Sequence, residues 1–439
     1  MGGSGTAGSN TSSGRRAVIV GGIRTPFLRA FTDFTRLDSI DLADAAVQGL
    51  IDRTGLAPNA IEAIVWGGVV LPSAAPNIAR EIAIDLKLDP DCEGYTVTRA
   101  CASGLQAVTS AAAAIERGEY DIMVAGGSDS TSNAEVKLPQ KVVHASAPIA
   151  LGKPGFKDYL EAARQLAPFY DALPKRPKIA ERTTGEVMGE SAEKMARIHG
   201  VGRADQDAFA ARSHHRAAAA IASGRFDDEV ISVPTPAGGL VTTDGLVRAD
   251  TSVEKLARLK PVFAENGSVT AGNASPLTDG ASAVLLMSEE KASALGFTPL
   301  AAFRSWSYTG VDPADEVLIG PAISMPRALA KAGMSLADVD LVDIHEAFAA
   351  QTLSVLDALA SKTWAVERLG TDEPVGDIDI DRLNVHGGSI SLGHPFAATG
   401  ARMVTTMANE LHRTGMQTAL LGICAAGGIG ASAILERVE

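Results

Sequence analysis

Cys101 lies in the stretch Thr98-Arg99-Ala100-Cys101-Ala102-Ser103-Gly104-Leu105-Gln106, among small residues that leave room for a bulky electrophile. Ala107 to Glu116 follows, alanine-rich and free of Gly and Pro, which is a helical composition. The thiol is therefore expected where a strand or turn hands over to a helix N-terminus. Unpaired N–H groups and the positive end of the helix dipole favour an anion there, which predicts a lowered thiol pKa. The ordinary alternative is a buried structural cysteine. Three more stretches carry reactive side chains. Ser391-Leu392-Gly393-His394-Pro395 sets His394 in a fixed turn before a helix, and Asp343 to Phe348 ends a strand with His345 and Glu346. Ile423 to Gly428 ends another strand with Cys424, Ala425, Ala426 and two glycines. Singly, these read as a turn, a satisfied polar residue, a small hydrophobe and close packing. Together they supply a nucleophile, a base, a second acid/base and backbone oxyanion donors, which is what thiol-dependent acyl transfer needs.

The elements that must position these residues alternate between strand and helix. Arg16 to Gly22 is predicted as a strand. Ser39 to Thr54 is predicted as a helix, capped by Asp38 or Ser39 and stopped by Gly55. Ala63 to Leu71 reads as a strand, Pro76 to Leu86 as a helix, Tyr95 to Val97 and Asp121 to Ala125 as strands. Such alternation implies a layered α/β fold. The second half repeats the first. Gly55-Leu56 with Ile61 and Ile64 is matched by Gly333-Met334 with Val339 and Val342. Cys101, Gly104, a helix, a strand and Gly126-Gly127 are matched by His394, Gly400, a helix, a strand and Gly427-Gly428. Duplication predicts two similar α/β halves whose equivalent loops converge on one site. The expected organisation is a tail over 1–14, a first half over 15–132 and 261–297, an inserted loop domain over 133–260, and a second half over 298–439.

The chain has 439 residues, enough for two or three domains. Its formal charge of −13 argues against general nucleic-acid binding. Residues 133–182 depart from that balance, with nine Lys/Arg against five Asp/Glu, an island suited to an anionic ligand or partner. Within it Tyr159, Ala163, Leu166 and Tyr170 line one helical face, which could dock on a membrane or a subunit but more ordinarily covers the protein's own core. Three cysteines make no disulfide scaffold, and the spacing of Cys92, Cys101 and Cys424 suits no zinc site. Free thiols point to a reducing compartment, and the expected location is cytoplasmic, with peripheral membrane contact as an option. No apolar run is long enough for a transmembrane helix.

Cys-Ala-Ser-Gly, His-Glu-Ala-Phe, Gly-Gly-Ser-Ile-Ser-Leu-Gly-His-Pro and Cys-Ala-Ala-Gly-Gly resemble, in order, the four signature stretches of the thiolase family. Gly272-Asn273-Ala274-Ser275, followed by Thr278-Asp279-Gly280-Ala281, adds a fifth. The likeness covers roughly residues 15 to 437. His345, where many thiolases have Asn, resembles the branch of the β subunit of the fatty-acid-oxidation trifunctional complex and its bacterial counterparts. Leu259 to Phe263 and the pair Ser213-His214 also resemble that branch.

The resemblance implies an α-β-α-β-α layered fold and CoA-dependent cleavage of 3-ketoacyl-CoA in β-oxidation. It implies that Cys101 is acylated, that His394 takes its proton and keeps it as thiolate, and that Cys424 moves protons to and from the acetyl carbanion and incoming CoA. His394 with His345 would form one oxyanion site, and the backbone N–H groups of Cys101 and Ala426 the other. Asn273, Ala274 and Ser275 would line the CoA site, with basic loop-domain residues near its phosphates. Coenzyme A is a substrate, and neither a further cofactor nor a metal is implied. A homodimer or homotetramer, and a complex with a hydratase/dehydrogenase α subunit, are the implied assemblies. Ala426 stands where many thiolases have glycine, which a negative φ would allow. Ala397 likewise stands where glycine is usual, which would tighten the site. His345 can titrate where Asn cannot, so pH-sensitive activity is expected. The alternatives are an acetoacetyl-CoA thiolase run in the synthetic direction, a decarboxylating ketoacyl synthase of the same fold, against which Cys424 argues, and a non-catalytic partner subunit.

Overall fold

The computed structural model describes residues 14–136, 138–173 and 180–438. The tail expected over 1–14 lies outside these apart from Gly14, as do Lys137, Lys175, Arg176 and Lys178 of the basic island.

Twelve strands are present among the described residues: β1 (Ala17–Arg24), β2 (Leu28–Arg29), β3 (Ala63–Gly67), β4 (Glu93–Val97), β5 (Ile122–Ser130), β6 (Val233–Pro234), β7 (Leu240–Val241), β8 (Thr278–Ser288), β9 (Ala301–Gly310), β10 (Leu341–Ile344), β11 (Thr418–Ala425) and β12 (Ile429–Arg437). The main sheet runs β10-β11-β12-β9-β1-β8-β5-β3-β4, with β2 paired to β8. The duplication is visible in this order. From the centre outward, β1-β8-β5-β3 in the first half mirrors β9-β12-β11-β10 in the second. In each set the outermost two strands are parallel (β3 with β5, β10 with β11) and the next pairings antiparallel. The halves meet through β1 and β9 at only two residue pairs, Val18 with Ala302 and Ile19 with Ala301.

Alternation along the strands creates the layers. Ala63 and Val65 of β3, with Leu421 and Ile423 of β11, face a central core that holds the helices Ser103–Glu116 and Ala398–Thr414. Ile64 and Trp66 face an outer core with the helix Ser39–Thr54. Val342, Ile344 and Leu420 face the other outer core with Pro321–Ala332 and Ala349–Ala360. The result is the α-β-α-β-α arrangement. Local signals account for the matching entries to the two halves. Asp38 caps its helix with a reciprocal box to Asp41, and Gly55 ends it in the left-handed conformation at φ 67°. Gly333 does the same at φ 66° for Pro321–Ala332, and each glycine leads into a 3₁₀ turn and then a strand. The two glycine pairs are not equivalent, however. Gly126 and Gly127 lie inside β5, whereas Gly427 and Gly428 form the β11–β12 turn at φ 85° and 67°. The second half turns straight back, while β5 and β8 are separated by the insertion.

That insertion divides differently from the expected 133–260 block. Residues 134–180 form a compact unit of their own, and 181–260 belong to the main body. The helices Met188–Ile198 and Arg203–Ala222 explain this. Their Ala192, Met195, Phe209 and Ala210 join the second outer core beside Ala350 and Val355. The small unit is built from two helices, Gln140–Leu151 and Phe156–Leu166, and its buried hydrophobics among the described residues are Ala145 and Ala162. Tyr159 is 53% and Tyr170 70% exposed.

The two central helices approach closely because glycines face each other's backbones. A Cβ on Gly104 would lie 2.2 Å from the Ala397 carbonyl oxygen, and one on Gly400 would lie 2.4 Å from the Leu105 nitrogen. Gly104→Ala must therefore push the Cys101 turn away from the His394 turn. We expect it to destabilise the fold by about 1–3 kcal/mol, read as a lowered melting temperature. An unchanged melting temperature would contradict the close approach.

Candidate active site

Cys101 stands two residues before the first helical residue, Ser103, in a turn that is itself strained. Ala100 has φ 46°, in the left-handed region. Ser103 holds the turn, its hydroxyl donating to the Ala100 carbonyl at 2.6 Å and accepting from the Arg99 N–H at 2.7 Å. As a residue Cys101 is half-buried. The structure overturns the expected low pKa: burial pushes the thiol up to about 12, with Asp129 adding to the rise. Backbone N–H groups of Ala426 and of Cys101 itself oppose this without winning. Loss of hydration on burial outweighs them.

His394 opens the turn before Ala398–Thr414. Its backbone N–H donates to Thr278 Oγ1 at 3.0 Å, and Gly393 at φ 105° makes the preceding bend. Its Nδ1 is bonded to Thr399 Oγ1 at 2.7 Å. His345 follows β10, with Nδ1 bonded to Ser389 Oγ at 2.9 Å. The two rings lie 4.1 Å apart between centroids. Each Nε2 is buried and without a hydrogen-bond partner. The Cys101 Sγ and one ring nitrogen from each histidine all lie within 4.8 Å of one another. Three sequence-distant stretches thus converge, as expected.

Both histidines are held neutral. Burial, and then the Arg402 charge, lower His394 to about 3. Burial, His394 and Arg402 push His345 well below the usual histidine range. Burial thus works against the titration near neutrality expected of His345. Arg402 is 1% exposed and pairs with Asp343 through Nη1 at 3.2 Å. Arg402 lies one helical turn beyond Thr399, and Asp343 lies two residues before His345 on its strand. The pair thus ties together the elements that carry the two histidines.

Cys424 is the penultimate residue of β11 and fully buried. Burial, reinforced by proximity to Cys101, raises its thiol well above the usual range. Ala426 is half-buried, and its backbone N–H points at Cys101 Sγ. It is absent from the positive-φ non-glycine residues among those described, so alanine fits there without strain. Ala397 is buried, its N–H donating to Asp129 at 2.8 Å.

The loop 273–278 touches both histidine elements. Ser275 N–H donates to the Ala347 carbonyl at 3.0 Å, and Ala274 forms a bridge with Phe348. Ala274 and Ser275 are partly exposed. Asn273 is not placed to meet a ligand. It is fully buried, with its amide committed to Asp207, Ser268 and the Thr270 N–H at 2.8–3.1 Å. Its backbone carbonyl accepts from Ala349 at 2.9 Å, so it fixes the loop instead.

Sequence reasoning did not foresee how several residues hold the site. Glu346 accepts from Ser213 at 2.7 Å, Asn384 at 2.8 Å and the Ile390 N–H at 3.2 Å. Ser213, noted only as part of a family pair, is therefore a structural hub. Asp129 is the penultimate residue of β5 and accepts N–H bonds from Val69, Val70 and Ala397 at 3.0, 2.6 and 2.8 Å. An acid closing an apolar strand was the available signal. Burial raises its carboxyl from 3.8 to about 7 despite these donors. The native state thus favours the protonated form, so this stability is full below the unfolded value and is lost as pH rises through about 7. Asp129→Asn should remove that part of the slope when melting temperature is followed across this range. An unchanged slope would place the titration elsewhere.

Comparisons with known proteins agree over the whole length. The thiolase N-terminal domain model matches residues 17–290 and the thiolase C-terminal domain model residues 297–437. A protein named 3-ketoacyl-CoA thiolase from Shewanella halifaxensis is 44% identical over 425 residues, covering 96% of this chain and 97% of that relative. The crystal structure of the Bacillus anthracis acetyl-CoA acetyltransferase superposes with TM-score 0.81 at 32% identity, covering 97% of this chain and 99% of that one. Human mitochondrial 3-ketoacyl-CoA thiolase gives TM-score 0.81 at 29% identity, with the same coverage. Two family models spanning nearly the entire chain, and a relative at this identity, place the chain in the thiolase family.

Proposed function

We propose that this protein is an acyltransferase that cleaves 3-ketoacyl-CoA with CoA, yielding acetyl-CoA and a shortened acyl-CoA. The observation that carries the reading is the convergence of Cys101 Sγ with His345 and His394 nitrogens within 4.8 Å, beside the buried Cys424. The thiol and imidazole start as a neutral pair, so proton transfer from Cys101 to His394 accompanies attack on the 3-keto carbon. The tetrahedral oxyanion is received by backbone N–H groups of Cys101 and Ala426. The Ala426 N–H, which points at Sγ in the free site, is released as the sulfur bonds to carbon. The C2–C3 bond then breaks, and the enolate of acetyl-CoA is held by the Nε2 atoms of His394 and His345. Their Nδ1 tethers to Thr399 and Ser389 leave these atoms free for it. Cys424, a neutral acid in its buried setting, protonates the carbanion and then deprotonates the incoming CoA thiol. Ser275 and Ala274, at the partly exposed loop, contact the pantetheine, and CoA acts as a substrate.

The test is loss of 3-ketoacyl-CoA enolate absorbance on adding CoA, repeated across acyl-chain lengths. The expected result is thiolysis of chains longer than acetoacetyl. Turnover of acetoacetyl-CoA alone would favour the synthetic enzyme, and no turnover at any length would overturn the reading. A cytoplasmic homodimer or homotetramer, joined to a hydratase/dehydrogenase subunit or resting on a membrane, is the proposed setting. Exposed Phe156, Tyr159, Phe169 and Tyr170 support a docked state. No helix among the described residues is long and apolar enough to cross a membrane.

A further inference from the structure

The active-site donors satisfy a second chemistry that sequence spacing conceals, because they come from three distant loops. We propose that Cys101, His345 and His394 form a three-donor site for a thiophilic divalent cation, zinc foremost, which excludes the acyl substrate while bound. The proposal rests on the reading above only for its consequence; binding itself follows from the donor set.

Four observations carry it. First, Sγ and the two ring nitrogens lie within 4.8 Å of one another. A tetrahedral zinc with one sulfur and two nitrogen ligands needs donor separations of about 3.3–3.6 Å. Binding therefore requires the three side chains to draw together from separations of at most 4.8 Å. Second, both Nε2 atoms are buried without a partner, on residues 0% and 5% exposed, and a metal would satisfy them. Third, the outer contacts are those of metal-binding histidines. Each Nδ1 meets a hydroxyl, Ser389 at 2.9 Å and Thr399 at 2.7 Å. With Nδ1–H donating to the hydroxyl, the Nε2 lone pair is left for the metal. Fourth, Cys101 is the partly exposed member of the set, and the fourth coordination position can be taken by water. The opposing effect is the buried Arg402 cation, which acts on both rings. Its pairing with Asp343 at 3.2 Å and the negative charge of the ligating thiolate offset it. Binding forms one Zn–S and two Zn–N bonds and releases the Cys101 thiol proton to solvent. No oxidant or reductant is needed.

The experiment titrates the metal-free full chain with zinc chloride in competition with a chromophoric chelator, without any acyl substrate. One zinc per chain is expected. Cys101→Ser and His345→Asn should each weaken binding by roughly tenfold or more, while Cys92→Ser, at a separate buried thiol, should leave it unchanged. Cobalt(II) in the unmodified chain should give a thiolate-to-metal absorption band that disappears after alkylation of Cys101, which does not depend on any variant folding. Zinc should also slow thiolysis competitively with 3-ketoacyl-CoA. Failure to compete with a micromolar chelator, or stoichiometric binding that survives both Cys101→Ser and alkylation, would overturn the proposal. Because the titration needs no turnover, its failure is distinct from failure of the proposed reaction.

Discussion

Cys101→Ala is expected to lower CoA-dependent thiolysis by roughly four orders of magnitude or more, the usual scale for removing a covalent nucleophile. No other described group can take its place. Cys424 lies within β11 and is fully buried, and Cys92 sits in the first outer core, where burial raises its thiol to about 11. The residual rate would come from the oxyanion donors alone, each worth roughly 3–4 kcal/mol of barrier. The charge state of the pair gives the same account a second, independent check. With the thiol at about 12 and His394 at about 3, the thiol–imidazole pair is uncharged near neutrality. A raised thiol pKa means the thiolate fraction is small and grows with pH. Alkylation of Cys101 by iodoacetamide in the free enzyme should therefore keep rising across about pH 6 to 9. A plateau within that range would reveal a preformed thiolate–imidazolium pair.

Cys424→Ala should separate the half-reactions. Acylation of Cys101 from a simple acyl-CoA needs no carbanion protonated, so it should persist. Thiolysis of a 3-ketoacyl-CoA needs both a proton donor for the enolate and a base for CoA, and should fall by roughly 10²–10⁴-fold. Burial, reinforced by Cys101, keeps the Cys424 thiol protonated, which suits it to give a proton at the moment a carbanion forms. The comparison is made by single-turnover acylation beside steady-state thiolysis. If Cys424→Ala blocked acylation as fully as Cys101→Ala, the division of roles between the two thiols would be wrong.

Much of this arrangement was legible in the sequence where one residue type has one physical use. The Ser39–Thr54 helix and its Gly55 stop follow from capping and left-handed glycine, and the same pattern at Gly333 announced the duplication. The reactive residues were legible because Cys, His and Gly cluster at strand ends and helix starts. What was hidden depends on burial, which spacing does not encode. The Cys101 pKa rises although its place before a helix suggests the opposite, because desolvation outweighs the N–H groups of Ala426 and of Cys101 itself. Arg402 and Asp343 are 59 positions apart and meet only in the folded core. Asn273 looked like a ligand contact, but its amide is spent on Asp207, Ser268 and Thr270. The charged stretch 188–222 looked like an insertion, yet its apolar face packs against the Ala349–Ala360 helix.

The most direct test of the acyl-enzyme is the mass of the protein after mixing with a 3-ketoacyl-CoA in the absence of free CoA. We expect a single acyl adduct, mapped by proteolysis to the peptide containing Cys101 and discharged when CoA is added. No adduct, or one carried by Cys424 or Cys92, would contradict the account.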